Sequence, residues 1–143
     1  MDDLVQFLRD RFSEDVSEAL GGADDGTWTA DGGSVYDGHP TRVIVGYTEH
    51  AKHIARHDPA RALRDAEANH QILDLHGIVH RNIGWRDADG ETEYGEIPVC
   101  GLCVPKHSHY LTRQLVPEGP CATVRLLALP HANHPDYRTG WRP

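Results

Sequence analysis

Lysine is nearly missing from this chain: Lys52 and Lys106 are the only two among 143 residues. Arginine therefore carries almost all the positive charge, and no polybasic tract exists to track a phosphate backbone. Unaided nucleic-acid binding is disfavoured on that ground. Long apolar runs are missing as well, with mean hydropathy at −0.56 and no stretch near the roughly 20 residues that a membrane helix needs. The opening MDDLVQFLRDRFSED lacks the basic flank and unbroken apolar core of a secretory signal, so a cytoplasmic address is expected. Catalytic signatures are absent too. There is no HExxH, no GxSxG elbow, no GxxxxGK or GxGxxG loop. The zinc-deaminase pair of HxE with PCxxC also fails, because Val99 separates Pro98 from Cys100 and no histidine is followed two positions later by Glu.

What remains is acidic and histidine-rich. Asp and Glu number 22 against 14 Lys and Arg, for a net charge of −8, and 38% of residues are hydrophobic. A chain of this size can bury about 68–70% of its unfolded surface, enough for a single core without disulfides. One domain over residues 1–143 is expected. Eleven histidines and three cysteines, the latter confined to the last third, are the unusual features.

The hydrophobic pattern predicts an α+β fold. Leu4, Phe7, Leu8, Phe12, Val16 and Leu20 recur every three or four residues, which marks one face of an amphipathic helix over 3–20, stopped by Gly21-Gly22. Short runs rich in Trp, Val, Ile, Thr and Tyr follow, separated by Asp-Gly-Gly and Asp-Gly-His-Pro. They predict an antiparallel β-meander over 27–47, with strands near 27–30, 34–37 and 42–47. Helices are expected over 49–57 and 59–76. Asp58 stands at the N-cap of the second, Pro59 at its first turn, and Gly77 at its end. Along it, Leu63, Ala66, His70, Leu73 and His76 form one stripe. Residues 78–98 suggest a hairpin or loop, 121–129 a short last helix, and the remaining tail a surface segment anchored by Tyr137 and Trp141.

Cys100, Cys103 and Cys121 fall within 22 residues of one another. A CxxC pair in a tight turn, eased by Gly101, points two thiolates at one centre; a third thiolate and an imidazole complete a zinc tetrahedron. Cys121 follows Pro120 at the start of the expected last helix, where the dipole favours a thiolate. A disulfide would strand one cysteine, and a thioredoxin-type pair would need a helix that the flanks do not offer. The imidazole is open on residue pattern alone. His107 and His109 lie between the cysteines, His76 ends the long helix on its apolar stripe, and His80 lies one turn further. His70 suits a core hydrogen bond. His50, His53 and His57 share a helix face that reads as solvated, with a second metal as the lesser alternative.

The segments HIARHDPARALRDAEANHQILDLHG, CGLC and PCATVRLLALPHANHPDYRTGW, together with the N-terminal DDLVQFLRDRFSED and the Trp28 region, resemble an uncharacterised family of small actinobacterial and phage proteins, a domain of unknown function. The resemblance covers nearly the whole chain and implies no activity. It does imply a ligand set: a histidine at the end of the long helix with the CxxC and the later PC, here His76 with Cys100, Cys103 and Cys121. This chain departs from the pattern through the long insert VPKHSHYLTRQLVPEG.

Three thiolates and an imidazole form a closed site, with no vacant position for a substrate water, so the metal would stabilise the fold instead of catalysing. The expected protein is a small zinc-stabilised, non-enzymatic interaction or regulatory module, its acidity suited to a basic patch on a protein partner. Two other readings stand beside it: a metal-dependent enzyme with an open zinc site, and a nucleic-acid-binding zinc protein using Arg125, Arg138 and Arg142.

Overall fold

The computed structural model describes residues 2–21, 26–38, 42–86, 89–104 and 119–143. Its order is α1 (Asp2–Gly21), β1 (Trp28–Asp31), β2 (Ser34–Asp37), β3 (Val43–Val45), α2 (Ala51–Arg56), α3 (Pro59–Leu75), β4 (Ile78–Arg86), β5 (Thr92–Cys100) and α4 (Ala122–Leu127). Two 3₁₀ turns follow, at Leu129–His131 and Thr139–Trp141. The architecture is α+β, and among the described residues no helix is long and apolar enough to cross a membrane. Contacts divide the chain into two units, one of residues 10–70 and one of residues 1–9 with 71–143.

In the unit of residues 10–70, β1 and β2 pair antiparallel from Trp28↔Asp37 to Asp31↔Ser34. That register leaves a two-residue turn at Gly32-Gly33, with φ of +54° and +84°. Positive φ at both central positions is what a type I′ hairpin demands, and the right-handed strand twist favours it. β3 pairs with β2 but covers only 43–45, less than the expected 42–47, and the register slips between Val35 and Tyr36. Residues 39–41 of the second turn lie outside the described set. Val35, Ala51 and Ala55 are buried together, with Trp28, Ala30, Val45 and Ile54 packed around them. α2 is shorter than expected, since His50 and His57 are its caps. α3 begins as its sequence implies: Asp58 Oδ1 accepts the Arg61 backbone N–H at 2.6 Å.

The face of α1 differs from the expected one at its end. Leu4, Phe7, Leu8 and Phe12 are buried, but Leu20 is 67% exposed and Ala19 takes the buried place. A spacing of four advances about 40° per step on a helix of 3.6 residues per turn. The row Phe12, Val16, Leu20 therefore drifts off the face, whereas Ala19 stays near its centre.

The other unit holds the β4–β5 hairpin, antiparallel from Ile78↔Cys100 out to Arg86↔Thr92. Burial on β5 is graded: Thr92, Glu93 and Tyr94 are exposed, while Val99 and Cys100 are buried. The base of the hairpin is thus its structural part, where Ile83, Val99 and Val104 cluster with Ile97. The tail is fastened through aromatic rings. Phe7 meets His131, His134, Tyr137 and Trp141 at centroid distances of 5.0 to 6.2 Å, so Tyr137 and Trp141 do anchor it. Arg138 bonds Asp3 at 2.6 Å and lies over the Trp141 ring.

The Gly-Gly turn supplies a test. A Cβ on Gly33 would stand 2.7 Å from the Tyr47 ring at a positive φ, whereas one on Gly32 meets nothing within 4 Å. Gly33→Ala is expected to cost about 1–2 kcal/mol or more in denaturant unfolding. Gly32→Asn should cost less, since Asn tolerates the left-handed region.

Candidate metal centre

The centre is built by the hairpin. β4 starts two residues after His76 and β5 ends on Cys100, so the pairing Ile78↔Cys100 returns the chain to the end of α3 across 24 residues. The ladder extends one step further, with the Gly101 N–H donating to the Gly77 carbonyl at 2.8 Å. Gly101 has no left-handed φ, contrary to the role expected of it. It is small for another reason: a Cβ there would lie 3.2 Å from the Gly77 oxygen and from the Val79 side chain. Arg81 also donates to the Gly101 carbonyl, at 3.4 Å.

His76 falls one residue beyond α3, which ends at Leu75 and not at 76. Its backbone N–H still donates to Ile72. Cys103 is placed by the turn after β5, where its N–H donates to Cys100 Sγ at 3.4 Å. Cys121 is the N-cap of α4, which covers Ala122–Leu127 instead of the expected 121–129 because a 3₁₀ turn containing Pro130 takes over. The Gly119 N–H reaches back to the Pro98 carbonyl at 3.4 Å, and Arg125 donates to the Pro120 carbonyl at 3.1 Å.

Nδ1 of His76 lies 3.4 Å from Cys100 Sγ, 3.6 Å from Cys103 Sγ and 3.3 Å from Cys121 Sγ. All four ligand atoms fall within 4.8 Å of one another. A zinc tetrahedron with bonds of about 2.3 Å to sulfur and 2.0–2.1 Å to nitrogen would put nitrogen about 3.6 Å from each sulfur. Distances and donor chemistry therefore both fit a tetrahedral, thiophilic metal ion. Cys100 and Cys121 are buried, whereas Cys103 is exposed.

The thiols are unequal without a metal. Cys103 is pushed up to about 12, first by its hydrogen bond with Cys100, then by desolvation and by Cys121. Burial also raises the Cys121 thiol. The N–H groups of Val124 and Thr123, with hydrogen bonds from Cys100 and Cys103, outweigh that and hold it below its ordinary value. Cys121 is thus a readier thiolate than Cys103.

Among the described residues the other histidines lie elsewhere. His80 is exposed on β4, and His107 and His109 lie outside the described residues. His70 Nδ1 donates to the Ala66 carbonyl at 3.1 Å and its ring meets Phe12, the core role expected of it. The His53 and His57 rings lie 4.7 Å apart, tilted by 56°, but among the described residues the only His, Cys, Asp and Glu group placed to hold a metal is the one around His76. Arg125 gives its remaining bonds to the Gly140 and Arg142 carbonyls, so its guanidinium is spent inside the protein. Residue patterns did not disclose Arg81 or the Gly77–Gly101 contact. The only trace was a glycine just before one strand and another just after the next.

An α+β chain whose hairpin gathers three cysteines and a histidine at ligand spacing is, as a class, a candidate metal-stapled small protein. It belongs to the family of unknown function DUF6221, whose model matches residues 1–143. No curated protein and no solved structure matches the chain.

Because metal needs thiolates while Cys103 holds its proton up to about 12, loading at neutral pH must release protons. Affinity should rise with pH, about tenfold per unit for each proton displaced. Competition against a chromogenic chelator between about pH 6 and pH 8 would read the slope; a flat profile would contradict thiol ligation.

Proposed function

We propose that this DUF6221 chain is a zinc-stabilised, non-enzymatic module that acts on a protein partner. The observation that carries the reading is the convergence of three sulfurs on one imidazole nitrogen, at 3.3 to 3.6 Å. Four protein donors leave no vacant position for a substrate water, which supports a structural and not a catalytic metal. Zinc is favoured because three thiolates with one imidazole is its common structural donor set. Bound there, the ion would supply charge neutralisation and a four-way crosslink among α3, the hairpin base and the start of α4.

The net charge of −8 suits a basic patch on a partner protein. Internal engagement of Arg125 and Arg138 supports leaving nucleic acid aside. Three free cysteines suit a reducing compartment, consistent with a cytoplasmic protein.

Purified protein should carry about one zinc per chain by elemental analysis, and removing it with a chelator should lower the melting temperature. His76→Ala should weaken zinc retention beyond the roughly 10- to 100-fold that loss of a second-shell partner costs. His80→Ala, His107→Ala and His109→Ala should leave retention unchanged. Metal-free, fully folded protein with three free thiols would overturn the reading. A larger loss for His107→Ala or His109→Ala would move the fourth ligand into the insert.

A further inference from the structure

We propose that Cys103 is an oxidation-sensitive site through which a peroxide withdraws two ligands from the metal centre and frees the start of α4; the inference rests on the zinc reading above. Three features of the cluster carry it. Of the three cysteines Cys103 is the exposed residue, while Cys100 and Cys121 are buried, so a small electrophile in solvent meets it first. A second sulfur stands ready, because the ligand atoms lie within 4.8 Å of one another. That partner is Cys100, whose sulfur already accepts the Cys103 N–H at 3.4 Å in the same turn.

The chemistry closes with a peroxide as the only co-reactant. The Cys103 thiolate attacks one peroxide oxygen; an S–O bond forms, the O–O bond breaks, and the departing hydroxide takes a proton to become water. Cys103 is then a sulfenic acid. The Cys100 thiolate attacks that sulfur; the S–S bond forms, the S–O bond breaks, and a second hydroxide leaves as water. Two thiolates have lost two electrons, and the peroxide has gained two electrons and two protons. His76 and Cys121 are left, two donors where a tetrahedral ion needs four.

The choice of partner decides the structural result. A Cys100–Cys103 bridge closes a loop within one turn of chain and constrains nothing outside it. A Cys103–Cys121 bridge would keep the tail bound to the hairpin base across the longer stretch 104–120. Closing the shorter loop costs less entropy, and the hydrogen bond from the Cys103 backbone N–H to Cys100 Sγ already holds those two residues in one turn. Oxidation is therefore a release of Cys121 and of the first turn of α4, not a new crosslink between elements.

The test uses the zinc-loaded full chain, with zinc counted first. A value well below one per chain would be a failure of the metal reading, separate from this one. Hydrogen peroxide is added while a chromogenic chelator reports free zinc and peptide mapping locates the bridge. Zinc release matched by loss of two thiols per chain, a Cys100–Cys103 bridge and re-uptake after a dithiol reductant are expected. Iodoacetamide should label Cys103 at least about tenfold faster than Cys100 or Cys121 in the loaded chain. Cys103→His keeps four donors, and its zinc release by peroxide should be at least about tenfold slower. First labelling at Cys100 or Cys121, thiol oxidation with zinc retained, a Cys103–Cys121 bridge, or unchanged release from Cys103→His would each overturn the proposal. Should Cys103→His fail to load, the labelling order and the mapped bridge in the natural chain decide.

Discussion

The pairing of Ile78 with Cys100 is the constraint from which the rest of the centre follows. It converts a separation of 24 residues between His76 and Cys100 into a contact. Side chains alternate faces along a strand, so a slip of one residue would turn Cys100 to the opposite face and leave His76 without its first sulfur. The Gly77–Gly101 hydrogen bond extends the ladder beyond the strands and fixes that register where the ligands need it. Once Cys100 is set, little else must be ordered. The turn brings Cys103, and the bond from Gly119 to Pro98 brings Cys121 against the same strand.

This arrangement is electrostatically unequal to its task when metal is absent. The neighbouring sulfurs push the Cys103 thiol up to about 12, whereas backbone N–H groups and the other two cysteines hold Cys121 below its ordinary value. A divalent cation reverses that logic, since ligation deprotonates a thiol outright and the attraction replaces mutual repulsion. Two of the sulfurs are buried, so the cluster has little water with which to relieve its charge otherwise. The donor set thus makes a metal-free ground state a poor resting point for this corner of the fold.

What a reader of residues can see here is local chemistry. Asp58-Pro59 announces a helix start, Asp-Gly-Gly announces a tight hairpin turn, and CxxC announces two converging thiols; all three have that form in the structure. Each depends on neighbours only a few positions away. The fourth ligand was open on spacing because imidazole has no spacing of its own; only the non-local register of β4 and β5 brings His76, and not exposed His80, to the sulfurs. The end of α1 misled for a related reason. Leu20 outranks Ala19 in hydrophobicity, but helix geometry and not side-chain size decides which position faces inward. Arg125 showed charge in the sequence and carbonyl partners in the structure, a distinction that composition cannot draw.

The tail is held at its two ends by contacts that differ in kind. Residues 131–141 are fastened by Phe7 and its rings and by the Asp3–Arg138 pair, none of which involves sulfur. Cys121 and the first turn of α4 are placed by the Gly119–Pro98 hydrogen bond, by Arg125 on the Pro120 carbonyl and by the sulfur–imidazole contacts of the cluster. Arg125 joins the two, with its Nε on the Pro120 carbonyl and its Nη1 on the Gly140 and Arg142 carbonyls. The aromatic latch docks the far end of the tail, and Arg125 ties Pro120 to that docked end through the Gly140 and Arg142 carbonyls. A metal ion held at the cluster would therefore sit beside a segment whose far end is docked by contacts that involve no sulfur.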